Sequence, residues 1–448
     1  MENEEILEIS TSLAAGSLTL FLGTGFSKYM TDDKAPNWLE LLYECAHYLN
    51  DKKVLEALFK VEGEKLKSCN VELTVCAQIL EEEFINNNLD IRERIAMIIK
   101  DKINRETVNE DRVVKFRKFL LDNDSVNIVT TNYDSIITDF VFPLKSKPIV
   151  DGNLIPKAMN IKPIYHIHGS IEHTDSIVLT EGDYFIFLHK ENYMSKKLYT
   201  LIQETTLVIL GYSLGDFNLN RILNEAKELK LNTIKKSDIY HISRNKVEDI
   251  FQRYYYTTFG VNVLQNLEID EFLNALKLKN RETASLKIED ERHLLVLKGK
   301  LSYANHYLKL KASFSHILLR LDAFGYSYVD QDLQELIKKI LERKRDFTHE
   351  DNAWDQYEHL AEWLCLLGSS FEVEGTILEK VFLESVQYSF LKMSKDLYRG
   401  YSWKSHSIWK SNIEYLKPRN KMLIEKMIRK NTFQPMNAVD QIMTIKES

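Results

Sequence analysis

At 448 residues the chain is too long for one ordinary hydrophobic core and long enough for two or three domains. Its 44% hydrophobic and 28% charged residues, with a mean hydropathy of −0.29, are an ordinary globular balance. The 15 glycines and 7 prolines exclude collagenous and disordered chains and favour helix over short-stranded all-β folds, and a formal net charge of −7 gives no whole-chain reason to expect nucleic acid.

The opening MENEEILEIS is acidic and lacks the basic start of a secretory signal or transit peptide. Apolar β-rich runs then alternate with helical stretches: Leu18–Leu22, Val126–Thr130, Ile164–Ile167, Ile177–Leu179, Leu207–Leu210, Asp238–Ile242 and Val261–Leu264. Near-continuous apolar runs suit strands covered on both faces of a parallel sheet, and helices between them predict βαβ units. The expected fold is therefore α/β, a Rossmann-like doubly wound parallel sheet. The helical region of about residues 38–120 reads as an insertion between the first two strands. A polar segment, Leu276–Asp290, is the candidate linker. Beyond it the β-runs cease, apolar residues recur at spacings of three and four over Ala304–Phe324 and Asp355–Leu367, and an all-α C-terminal domain is predicted. The domains are thus placed at 1–280 and 281–448. The first carries 33 basic and 42 acidic side chains, the second 26 and 24, so any basic surface belongs to the second. No apolar run approaches the roughly 18–20 residues that span a bilayer. The four cysteines, Cys45, Cys69, Cys76 and Cys365, contain no CxxC pair, so a zinc ribbon is excluded and no metal is expected; so few thiols suit a reducing cytoplasm.

Four motifs sit at predicted strand ends. In Leu20–Ser27 (LFLGTGFS), Gly23, Thr24, Gly25 and Ser27 follow the first strand, where two glycines let backbone approach a pyrophosphate and Ser27 can donate to phosphate or cap a helix. The third glycine of the dinucleotide fingerprint is absent, and a structural turn accounts for this motif alone equally well. In Ile128–Asp134 (IVTTNYD), Thr131, Asn132 and Asp134 lie where open α/β sheets build ligand sites; capping of the next helix by Thr131 or Asn132 is the structural alternative. In Tyr165–Ser170 (YHIHGS), strand alternation puts His166 and His168 on one face, with His168 at the strand end beside Gly169. No third residue has useful spacing for a metal. In Leu207–Asp216 (LVILGYSLGD), Gly211 and Ser213 open the next turn. The string Gly211–Gly215 also fits a serine-hydrolase elbow, but His241, the one downstream histidine of this half, reads as internal to a strand.

Taken in order over Leu18–Ser243, these motifs resemble the sirtuin family, in particular its bacterial defence-associated branch. The resemblance matches Gly23-Thr24-Gly25-Phe26-Ser27 to the loop that binds NAD phosphates, Thr130-Thr131-Asn132-Tyr133-Asp134 to the Thr-Gln-Asn-x-Asp motif, His168-Gly169 to the catalytic His-Gly, and Gly211-Tyr212-Ser213 to the nucleotide-binding Gly-Thr-Ser turn. It implies Asn132, His168 and Asp134 as catalytic residues and Gly23, Thr24, Gly25, Ser27, Thr131, Gly211, Ser213 and Ser243 as NAD-binding ones. Leu179–Tyr184 (LTEGDY) also looks like the defence branch. Two features of deacylase sirtuins are missing: the zinc ribbon, and the Gly-Ile-Pro-Asp-Phe-Arg run, whose place is taken by Lys28–Trp38 (KYMTDDKAPNW). The resemblance therefore implies an NAD glycohydrolase that releases nicotinamide and ADP-ribose and depletes NAD in abortive infection. A sensor that binds NAD or ADP-ribose without turnover is the alternative, and an NAD-dependent deacylase a weaker one. Asn132 would hold a water or ribose hydroxyl, and His168, of a residue type that titrates near neutrality, would orient a hydroxyl or take a proton.

In the C-terminal half, Val386–Lys430 holds eleven basic and three acidic residues interleaved with aromatics. Nucleic-acid binding is one reading; a helical pack with core aromatics and solvated lysines is the favoured one. The family resemblance implies restraint of a harmful activity, hence a homo-oligomer held through the helical domain and a controlling partner, either a HerA-type ATPase or a phage-derived protein.

Overall fold

The computed structural model describes residues 2–63, 65–156, 160–189, 193–214, 217–229, 238–282, 290–393 and 403–430, together with Val439, Ile442 and Met443. The chain divides into two compact units, one of residues 1–230 and 237–279, the other built on residues 280–448. Gly215 and Asp216, most of the linker core (283–289), and Tyr398 and Tyr401 of the basic stretch lie outside the described residues.

The first unit is an α/β layer structure, as expected. Among the described residues it has nine strands: β1 (Leu18–Leu22), β2 (Phe59–Glu62), β3 (Lys65–Cys69), β4 (Asn127–Thr130), β5 (Ser146–Ile149), β6 (Lys162–His166), β7 (Thr206–Leu210), β8 (Ile239–Ile242) and β9 (Val261–Leu264). Seven form one parallel sheet in the order β5-β6-β4-β1-β7-β8-β9. All five residues of β1 are buried, since it is central and covered on both faces. The chain leaves β1 toward β4 and leaves β7 toward β8, in opposite directions, so the switch point lies between β1 and β7. Open α/β sheets bind ligands in the crevice at such a point. Register makes this edge level: Leu22 pairs with Thr130 and Leu210, Thr130 with His166, and Leu210 with Ile242. The loops that begin at Gly23, Thr131, Ile167, Gly211 and Ser243 therefore all emerge together.

The insertion between β1 and β4 is helical, with the first of its longer helices, Trp38–Leu49, opened by a capping box in which Asn37 Oδ1 accepts from the Glu40 amide (2.9 Å) and Glu40 from the Asn37 amide (2.7 Å). It also holds the antiparallel β2–β3 hairpin, which the sequence reading missed, as it did the edge strand β5: the hairpin's side chains are mostly exposed, and lysines occupy three of its nine strand positions. Leu42, Cys45, Cys76, Leu80, Phe84 and Ile95 form the insertion's own core. Ile177 and Leu179 join this core, which corrects the strand expected at Ile177–Leu179. That run is a loop, apolar because it packs beneath the insertion rather than within the sheet. Three cysteines lie in the insertion and Cys365 in the second unit, all as free thiols.

The second unit is helical, with Ser313–Ala323, Gln331–Phe347, Trp354–Ser370, Leu378–Leu391, Trp403–Asn412 and Pro418–Lys430 as its longer elements. Phe390 and Trp409 of the basic stretch are buried in its core, whereas Trp403 and Tyr415 are exposed. No helix among the described residues is long and apolar enough to cross a membrane.

Lys344 is fully buried in this unit. Its Nζ donates to the Leu308 carbonyl (3.0 Å) and Gln356 Oε1 (2.8 Å) and lies 4.0 Å from the centroid of the Trp363 ring. Burial brings this amine from its ordinary 10.5 down to about 7, partly opposed by Glu362. Between those two values the unfolded chain binds the extra proton, so stability rises with pH across that window. Lys344→Met is expected to flatten that rise, which amounts to a few kcal/mol, on the order set by a shift of this size. Denaturant unfolding of parent and variant at pH 7 and pH 9.5 reads it directly.

Candidate functional site

Asn132 is the best-held side chain at the sheet edge. Its backbone amide donates to Thr130 Oγ1 (3.0 Å), and Thr130 in turn donates to the Leu22 carbonyl (2.9 Å), tying the β4 end to β1. Its Nδ2 donates to the Gly23 carbonyl and to Ser27 Oγ, both at 2.8 Å. The next helical element starts after Ser135, so neither Thr131 nor Asn132 caps it. With Nδ2 fully engaged, Asn132 Oδ1 is a buried acceptor with no hydrogen-bond partner. A buried acceptor left without a donor typically costs about 1–3 kcal/mol, which a bound hydroxyl or water would offset.

Ser27 lies within the helix Thr24–Met30 rather than at its cap, which is Gly23. Its hydroxyl donates to Asp134 Oδ2 at 2.6 Å, while Asp134 Oδ1 accepts from the Ile136 amide at 3.1 Å. Both Asp134 oxygens are thus engaged inside the protein, and burial raises its pKa. Ser27→Ala would take one acceptor from Asn132 and the donor from the half-buried Asp134. The expected loss is about 1–3 kcal/mol of stability, read as a lower unfolding midpoint.

The histidines separate. β6 ends at His166, and the chain turns at Ile167–His168, so the two do not sit on one strand face as alternation suggests. His166 is buried; its Nδ1 donates to the Asn132 carbonyl at 2.9 Å, and burial brings its pKa down to about 4. It therefore holds the Asn132 backbone as a neutral ring. His168 is 5% exposed, its carbonyl accepts from the Val178 amide (2.9 Å), and its ring meets the edge of Tyr184, with centroids 5.4 Å apart. Tyr184 stacks on Trp38 of the insertion (6.0 Å). Gly169 has φ +89°, and a Cβ there would stand 2.2 Å from the Ser176 carbonyl oxygen, so only glycine permits this turn. Arg92 of the insertion secures the covering loop, bonding Glu81, Asp183 (2.7 Å) and the Ile177 carbonyl (3.2 Å). Tyr133 adds a bond from its hydroxyl to the Val178 carbonyl (2.8 Å).

The glycine turns interlock. The Gly23 amide donates to the Leu210 carbonyl (2.9 Å), that of Gly25 to Gly211 (2.7 Å) and that of Phe26 to Gly23 (2.9 Å). These three amides are engaged within the protein. Gly211 has φ +65°, and a Cβ on it would lie 2.2 Å from the Phe26 nitrogen. Beyond this contact opens a cavity of about 930 Å³ at the ends of β7 and β8. Gly25, Gly211, Ser213 and Ser243 line it, as do Arg112, Arg244 and Lys246. Ser243 Oγ donates to the Asn245 carbonyl (2.9 Å), closing the β8 turn. Such a volume falls in the range of about 300–1,000 Å³ typical of small-molecule sites.

The structure thus brings the expected residues into two neighbouring groups joined by the turn Gly23–Ser27. Asn132, Asp134 and Ser27 are bonded together on the β4 side, with His168 in the turn after the neighbouring β6; Gly25, Gly211, Ser213 and Ser243 line the cavity on the β7–β8 side. Thr24 starts the intervening helix, and the Thr131 amide faces the Leu22 carbonyl at 3.3 Å. The sequence reading missed Trp38, Arg92 and Tyr184 as site supports because they lie far from the motifs they serve. Among the described residues no three His, Cys, Asp or Glu side chains converge to hold a metal ion.

Against known proteins, a family model for the SIR2-like domain matches residues 126–264, which run from the start of β4 to the end of β9. The chain is also similar to Defense-associated sirtuin 2 of Bacillus subtilis, at 26% identity over 104 residues. That similarity covers 22% of this chain and 10% of the relative, so the chain spans only a small part of that protein.

Proposed function

We propose that this protein is an NAD glycohydrolase, cleaving the nicotinamide–ribose bond to give nicotinamide and ADP-ribose. The observation that carries the reading is the unpartnered Asn132 Oδ1, fixed from both sides after β4, against the β1 turn that borders the switch point of a sheet whose β4–β9 span matches a SIR2-like domain. A two-ended substrate suits two adjoining groups, its nucleotide half in the cavity and its nicotinamide ribose at Asn132 and His168. Engagement of the phosphates requires the Gly25–Gly211 contact to open.

In the proposed step the C1′–nitrogen bond breaks and its electron pair neutralises the pyridinium, so the leaving group needs no acid. Positive charge develops on the ribose ring, as in other glycosyl transfers. Water adds its oxygen to C1′ and gives up a proton. Asn132 Oδ1 accepts from that water or from a ribose hydroxyl, and His168 orients the hydroxyl or receives the proton. Asp134 acts through Ser27 as a positioning residue.

The similarity to a relative named as a defence-associated sirtuin supports a role in anti-phage defence by NAD depletion, in the cytoplasm. On this reading residues 1–280 are the catalytic domain and 281–448 hold copies together and receive the activating partner, a HerA-type ATPase or a phage protein. Exposed Trp403, Tyr415 and Met422 offer apolar contacts for such assembly.

The test is incubation of the purified protein with NAD, alone and with an acetylated peptide, following nicotinamide by chromatography. Release without peptide is expected. Release only with peptide would overturn hydrolysis in favour of deacylation, and ADP-ribose binding with no release, even with candidate activators supplied, would favour a sensor.

A further inference from the structure

His241 takes a core position on β8. Strand alternation puts it on the face of Ile239, which packs with Ile209, Phe259 and Val261, yet it is a polar ring only 9% exposed. It lines the 930 Å³ cavity beside Gly211 and Ser243. Its Nε2 stands 2.7 Å from the Tyr212 carbonyl. A carbonyl only accepts, so Nε2 carries the hydrogen and donates. Burial lowers the pKa of this ring, favouring the neutral form. Nδ1 is then a lone-pair acceptor, and it is buried with no hydrogen-bond partner.

We propose that His241 positions the ligand of this cavity, its Nδ1 accepting a hydrogen bond from a hydroxyl or amino group of a nucleotide while its Nε2 latches the Gly211–Ser213 turn. A purely structural histidine would be replaceable here by any side chain that keeps the Tyr212 bond. The inference rests on the NAD-site reading above and extends it to a residue that none of the four motifs contains as a ligand contact.

Two substitutions separate the roles. In His241→Gln the terminal amide nitrogen takes the place of Nε2 and keeps the latch, with no acceptor at the position of Nδ1. In His241→Asn the shorter amide puts an acceptor near the Nδ1 position and gives up the latch. Calorimetric titration with ADP-ribose is expected to show about tenfold weaker binding for His241→Gln, the upper range for one neutral hydrogen bond, with part of the affinity regained in His241→Asn. The KM for NAD should rise in parallel, with kcat within about twofold of the parent. The reverse pattern, with Gln like the parent and Asn impaired, would reduce His241 to a latch and overturn the proposal, as would parental affinity in both. If the parent itself fails to bind ADP-ribose, the NAD-site reading falls and this proposal with it.

Discussion

Asn132→Ala is expected to slow nicotinamide release from NAD by about 10²–10³, the usual cost of removing one well-placed polar group from a reacting centre. The substitution takes away the buried acceptor that the β4 side of the site leaves open, while the bonds that join β4 to β1 run through Thr130 and the backbone and remain. Secondary structure by circular dichroism should therefore match the parent. Asn132→Asp gives a sharper control. It keeps an oxygen in place of Oδ1 but sets a second acceptor against the Gly23 carbonyl, which can only repel it. Both variants should be inactive. Either one retaining more than about a tenth of parental turnover would remove Asn132 from the reaction.

His168→Ala is expected to cost about 10²-fold or more in kcat, the lower end for loss of a general base. ADP-ribose affinity should change far less, because the cavity that would hold the nucleotide half lies across the Gly23–Ser27 turn. The readout is the split itself: single-turnover hydrolysis against ADP-ribose titration. Equal losses in both would mean that the ring serves binding or local folding. His166→Ala should not mimic it, since His166 holds the Asn132 carbonyl from within the core and its loss should lower stability as well as rate.

Six of the seven sheet strands were legible as short apolar runs; LTLFL at β1 and TLVIL at β7 carry that signature without ambiguity, whereas the edge strand β5, SKPI, half polar and only partly buried, was missed. The same rule misread Ile177–Leu179, whose burial comes from the insertion and not from strand neighbours. It also passed over β2 and β3, whose side chains face solvent. At the site, adjacent polar residues after each strand marked Asn132 and His168. Their roles relative to neighbours were not readable. Two histidines two residues apart look equivalent in sequence, and only the turn at Ile167 separates a buried positioning ring from one against Tyr184. Likewise no local pattern announces that Arg92 reaches Asp183 or that Trp38 stacks on Tyr184, since those contacts depend on how a helical insertion folds back over a later loop.

The order of strands in the sheet also has a kinetic consequence. β1 is made before its two neighbours, which begin at Asn127 and Thr206, so its edge facing β7 stays bare until most of the first unit has been synthesised. Long-range pairings of this kind fold slowly, and an unpaired apolar strand is a template for association with other chains. Fragments that end before β7 would keep Leu18–Leu22 with an open edge and should aggregate, so a truncated first unit needs to run at least through β7 to stay in solution.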